Sequence, residues 1–121
     1  MMVPSTVLRL SSSMPDTEII AIATTFSSKA AAEACGSRLV ESRLAACVQV
    51  EGPITSFYRW QAAVDTAVEW RCICKTAVER EAECVAAILS SHGYATPQIA
   101  VTRLTSSSSY AAWVRESVAS A

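Results

Sequence analysis

The chain has 121 residues, a net charge of −1 and 17% charged side chains, with acids and bases interspersed. That balance argues against nucleic acid or an anionic membrane as partner. An ordinary domain carries roughly 25% charge, so apolar residues are in excess, which points to a surface covered by another subunit.

The length fits one domain, large enough to bury roughly 65–70% of its unfolded surface without a disulfide or metal. The five cysteines, Cys35, Cys47, Cys72, Cys74 and Cys84, are odd in number and include no CxxC. They read as buried thiols of a reducing compartment, and the expected location is cytoplasmic. No apolar run reaches membrane-spanning length.

Residues 1–16 are serine-rich and aperiodic and read as a disordered N-terminal tail, with Met14 as an alternative start. One basic residue, Arg9, gives too little positive charge to favour organellar targeting. The domain is expected over residues 17–119. Glu18–Thr25 is a buried strand, and Ser27 or Ser28 caps a helix that runs to about Ser42. Ala32, Cys35, Gly36, Leu39 and Val40 form its apolar side. Gly36 costs roughly 1 kcal/mol in a helix interior and implies close approach to the sheet.

Leu44–Trp60 is a long alternating strand broken at Gly52-Pro53, where a bulge or bend is expected. Gln61–Asp65 is read as the turn and Thr66–Thr76 as the return strand. Val68, Trp70, Cys72 and Cys74 share one side of it. Thr76 and Glu79 form a capping box for a second helix, with Val78, Ala82, Val85, Ile88 and Leu89 as its apolar face. That helix stops at His92-Gly93, with glycine in the left-handed position. Gln98–Leu104 is the fourth strand. Thr105–Ser109 is a linker, and Tyr110–Val118 is a short helix burying Tyr110, Trp113 and Val114. The order predicts an α+β, ferredoxin-like βαββαβ sandwich with a long hairpin between its second and third strands and a short C-terminal helix.

Enzyme chemistry finds little footing. There is one histidine, and no nucleophile elbow or phosphate loop. Cys72 and Cys74 lie roughly 7 Å apart on one strand face; they suit a soft metal on an open face and read as core under helices. His92 at a helix end serves structure or a metal equally well. Arg59 and Lys75 belong either to a solvated face or to a subunit interface or small anion pocket.

Five stretches together carry a family likeness: ESRLAACVQV from Glu41, ITSFYRW from Ile54, CKT from Cys74, HGYATPQI from His92 and YAAWV from Tyr110. With these the chain resembles the CutA family of divalent-cation tolerance proteins from about Thr17 to Val118. The resemblance implies a ferredoxin-like fold and a tight homotrimer built through the long hairpin, in the manner of PII signalling proteins. It also implies a non-enzymatic role in tolerance of copper and other divalent metals, and animal relatives are linked to acetylcholinesterase anchoring.

Four departures touch the copper site of bacterial members. Ala23 stands at the position of a cysteine, Ser91 at that of a preceding histidine, Gly93 at that of a proline and Gln98 at that of a glutamate. His92, Cys47 and Tyr94 remain the metal candidates, with no cofactor obligatory and copper or another divalent cation the metal implied. Tyr58, Arg59, Trp60, Trp70, Lys75, Tyr94 and Trp113 are the expected interface or pocket residues. The alternative is a PII-like signalling module that takes a small anion between subunits.

Overall fold

The structure, a computed structural model, describes residues 16–120; the tail, but for Asp16, lies outside them. Strand β1 (Glu18–Phe26) leads to helix α1 (Lys29–Glu41), then to the hairpin β2 (Cys47–Trp60) and β3 (Ala63–Thr76). A 3₁₀ turn (Val78–Arg80), helix α2 (Glu81–Ser91), strand β4 (Ala100–Thr105) and helix α3 (Ser108–Ser117) follow. The four antiparallel strands lie in the order β2-β3-β1-β4. This is the expected ferredoxin-like α+β plan.

Strand alternation divides the apolar residues between two faces. Ile20, Ile22, Phe26, Cys72 and Cys74 pack with Ala32, Cys35 and Leu39 of α1 and Cys84 and Ile88 of α2. Ile19 faces the other way and packs with Ala111 and Val114 of α3. Cys72 and Cys74 are therefore core. Gly36 fulfils its sequence reading, because a Cβ there would stand 3.0 Å from Val48 Cγ1.

Local signals placed some boundaries well and others badly. The Ser28 hydroxyl accepts from the Ala31 N–H at 3.1 Å and starts α1 as expected. The Thr76–Glu79 capping box does not form. Thr76 ends β3 and donates its hydroxyl to the Leu44 carbonyl at 2.8 Å, so it is unavailable to α2. Gly93 does not take the left-handed conformation; α2 ends because His92 turns extended, at φ −85° and ψ 140°. Leu89 and Ala82 face solvent, and Cys84 and Ile88 carry the buried face. Trp113 is exposed rather than buried, with Ala111 and Val114 taking the core positions of α3.

The hairpin turn is shorter than the sequence implied. Only Gln61 and Ala62 lie between the strands, both at positive φ (49° and 67°). That is the backbone of a primed two-residue turn, whose twist matches the strands it joins. Without the usual Asn-Gly signal, nothing local announced it. Each strand of the hairpin is thus 14 residues long.

The expected break at Gly52-Pro53 is real: the register shifts between Glu51 and Ile54. Gly52 (φ 157°) lies under Trp70, where a Cβ would come within 2.5 Å of the indole Cδ1 and 3.0 Å of the Glu69 carbonyl. Gly52→Ala should lower stability by about 1–3 kcal/mol through overpacking. The urea midpoint would fall with the slope unchanged; an unmoved midpoint would mean that the indole can vacate this place.

Candidate functional site

The long hairpin leaves the body of the domain where β1 ends. Phe26, the last residue of β1, pairs with Trp70, and β3 continues beyond it without a β1 partner. The connector after α2 folds back onto this corner. His92 stacks on Phe26 with ring centroids 4.3 Å apart and planes at 12°, and Tyr94 lies 5.0 Å from the imidazole.

The hydrogen bonds fix the state of His92. The Tyr94 backbone N–H donates to Nδ1 at 3.3 Å, so Nδ1 is the acceptor nitrogen. The proton of the neutral ring therefore sits on Nε2 and is donated to Thr24 Oγ1 at 3.1 Å. Nδ1 spends its lone pair on the backbone, and Nε2 is not free to act as a base. This direction of donation is opposite to that needed to activate a hydroxyl nucleophile.

Beside the histidine lies a carboxylate that the sequence did not single out. Glu69 accepts from Ser56 Oγ at 2.6 Å and from the Tyr94 hydroxyl at 2.8 Å. Burial alone pushes its carboxyl up, but donors from Ser56, Tyr94 and Thr25, together with the nearby His92, outweigh burial and hold it below the usual range. The Tyr94 phenol is pushed up to about 12 by burial and by its bond to the ionised Glu69, with Tyr58 also close by. It stays a donor at neutral pH. The group clamps the connector to the root of the hairpin.

The remaining candidates are dispersed. Tyr58 joins this corner, and Trp70 packs at the root of the arm against the helix-side core. Arg59 and Trp60 are near the arm tip, opposite Val64 and Ala63. Lys75 lies at the far end of β3 and donates to Gln49 at 3.1 Å. Lys75 lies eleven residue steps along β3 from Val64, about 36 Å at the usual rise, so one subunit cannot bring Arg59 and Lys75 into a common anion pocket.

Cys47 pairs with Lys75 on the α3 side of the sheet, where its thiol meets the Tyr110 hydroxyl. His92 sits on the opposite, α1 side, against Thr24. The two metal candidates are therefore on different faces. Among the described residues, no group of three or more His, Cys, Asp or Glu side chains is placed to hold a metal ion. Trp113 lies on α3, 5.6 Å from the Tyr110 ring.

Glu69, Ser56, Thr24, Thr25 and Phe26 escaped the sequence reading. Alternation put Glu69 on an ordinary polar strand face, and only the folded connector supplies Tyr94 from 25 residues away. A carboxylate between Val68 and Trp70 was the one available hint.

Residues 20–117 match the family model described as CutA1 divalent ion tolerance protein. The divalent-cation tolerance protein CutA of Archaeoglobus fulgidus is 35% identical over 68 residues, 56% of this chain and 66% of that protein, so the aligned part falls just short of two thirds of that relative. Among solved structures, CutA from Synechococcus elongatus PCC7942 superposes with a TM-score of 0.80 at 35% identity, covering 85% of this chain and 92% of that one. The Archaeoglobus fulgidus structure, described as a periplasmic divalent cation tolerance protein, gives 0.79 at 33% identity over 84% and 99%.

The depressed Glu69 carboxyl predicts a pH dependence. Its contribution to stability is complete above the unfolded carboxyl value near 4.5 and is lost as pH falls below that value through the folded one. Tyr94→Phe removes one of the donors. Its midpoint should fall by roughly 0.5–1.5 kcal/mol at neutral pH, and the difference from the parent protein should shrink as the medium is acidified. A difference independent of pH would show that the phenol does not act through Glu69.

Proposed function

The chain belongs to the CutA1 divalent ion tolerance family, and on that footing we propose that it works as a non-enzymatic homotrimer in the cellular response to divalent metal ions. The observation that carries the assembly is the arm. Beyond the β1 edge the hairpin holds Phe57, Trp60 and Val64 at 73%, 61% and 66% exposure. No helix among the described residues covers them. At about 25 cal/mol per Å² of apolar surface, aromatics of this size strongly favour an occupied partner surface. Val68, also exposed, lies on the same side as Phe57 and Val64 and extends that surface toward the body of the domain.

Residues of the back sheet face support the same reading. Ala21, Ala23 and Ile73 present an apolar surface beside α3, and all three remain half-exposed in the single subunit. Three copies would close that surface against one another and leave the outer helices in water.

No cofactor is obligatory in this reading. Copper(II) association is weak, because His92 must give up its bond to Thr24 before Nε2 can reach a metal. A reducing, cytoplasmic setting fits five free thiols. No helix among the described residues is long and apolar enough to cross a membrane.

Sedimentation at micromolar concentration should give a species three times the 12.9 kDa of one chain. Trp60→Ala should shift it toward smaller species; a stable monomer in the parent protein would overturn the assembly. Calorimetry should show weak copper(II) binding that drops on His92→Ala. Unchanged binding in that variant would remove His92 from the metal's path.

A further inference from the structure

Where β3 ends away from the arm, Arg80 braces the 3₁₀ turn against the end of α3. Its Nε donates to the Val118 carbonyl at 2.8 Å and its Nη2 to the Ser120 hydroxyl at 2.9 Å. Its Nη1 meets Glu83 at 2.7 Å, and that carboxylate cancels its charge. The gap between turn and helix is therefore held open by fixed bonds.

That gap is a cavity of about 380 Å³, within the size range of small-molecule sites. Ala77, Val118 and Ala119 give it an apolar wall, and the first two are buried. Two further charged side chains line it from different elements. Glu79 comes from the 3₁₀ turn and Arg115 from the last turn of α3. Among the described residues, neither side chain is in an ion pair or hydrogen bond, with the other or with a third group. Arg115 is half-buried. Its guanidinium has given up part of its water and gained no partner in return.

Charge restricts what such a cavity can take. With Arg80 neutralised by Glu83, one cation and one anion remain on its walls. A plain carboxylate or phosphate would pair with Arg115 and be repelled by Glu79. A plain amine would meet the reverse. A molecule that carries both a carboxylate and an ammonium satisfies both walls and leaves the cavity neutral. A guanidinium grips a carboxylate through two parallel N–H donors. An ammonium has three donors to offer the Glu79 carboxylate and no acceptor to oppose it. An aliphatic side chain on the same molecule would lie on Ala77 and Val118.

We propose that this cavity binds a free aliphatic α-amino acid, with its carboxylate on Arg115 and its ammonium on Glu79. Every lining residue belongs to one chain, so the failure of this site would leave the trimer reading untouched.

The test is equilibrium dialysis of the full chain against labelled L-leucine at millimolar concentration. One leucine should be held per chain. Isocaproate lacks the ammonium and isopentylamine lacks the carboxylate. As competitors, each should bind at least about tenfold more weakly than leucine, as the loss of a charge-assisted bond requires. Arg115→Ala should weaken leucine by a similar factor and leave the urea midpoint in place, since that side chain holds nothing else. Glu79→Gln should bring leucine level with isocaproate, a change of preference that a merely structural residue would not produce. No leucine held, isocaproate bound as well as leucine by the parent protein, or leucine binding unchanged in either variant would overturn the site.

Discussion

The ladder between Cys47–Trp60 and Ala63–Thr76 is the constraint on which the rest of this molecule depends. Inside the body, β3 is flanked by β1 and β2 and buries Cys72, Cys74 and Thr76. Beyond Trp70 it has β2 alone for company. A two-stranded ribbon is marginal in water without a surface to lie on. The same pairing thus gives a stable core at one end and an unsupported arm at the other. The apolar side chains follow that division, packed under α1 and α2 in the body and exposed toward the tip.

The polar cluster sits where the two regimes meet. Glu69 is the first β3 residue past the end of β1, so its carboxylate has no β1 strand to lie against. Ser56 from the arm and Tyr94 from the connector fill that place. Their donors make an ionised carboxylate tolerable in a partly buried corner. Gly52 and Trp70 lie just beside it, with the indole over the bulge where β2 changes register. The arm's direction is therefore set by a bulge, an aromatic cover and a clamped carboxylate acting together. The proposed trimer would need such rigidity, because an arm that swings would lose in ordering entropy what it gains by contact.

The helices divide their work unequally. Helix α1 is fixed by its Ser28 cap, by the close approach of Gly36 to Val48, and by Cys35 and Leu39 in the core. Helix α3 carries a Ser107 cap and seals the opposite face, where Arg80 donates to the Val118 carbonyl and ties its end to the 3₁₀ turn. Helix α2 has neither a side-chain cap nor a broad apolar face, yet it covers the thiols. Arg80 at its start pairs with Glu83 and so joins the helix to the 3₁₀ turn and the end of α3.

Much of the fold was legible from patterning alone. The apolar run of Glu18–Thr25, the alternation in Cys47–Val50, the Ser28 start and the glycine-proline break each have a local physical cause that acts on any chain with those residues. The sequence by itself therefore determined the element order, the core cysteines and the bend. The elements it misjudged were those whose outcome depends on distant partners. Thr76 was drawn from its expected cap by the Leu44 carbonyl, and Gln61-Ala62 was forced into positive φ by the pairing on either side. Trp113 lost its expected core place once α3 docked, and Ala111 joined the expected Val114 there. The site followed the same rule. His92, Tyr94 and Tyr58 were visible as residue types, but Glu69 acquired its role only when the connector closed over the end of β1. That closure also separated Cys47 from His92 by the thickness of the sheet. Local chemistry decides what each segment can be; which side chains meet is decided by register and packing, and these exist only in the folded chain.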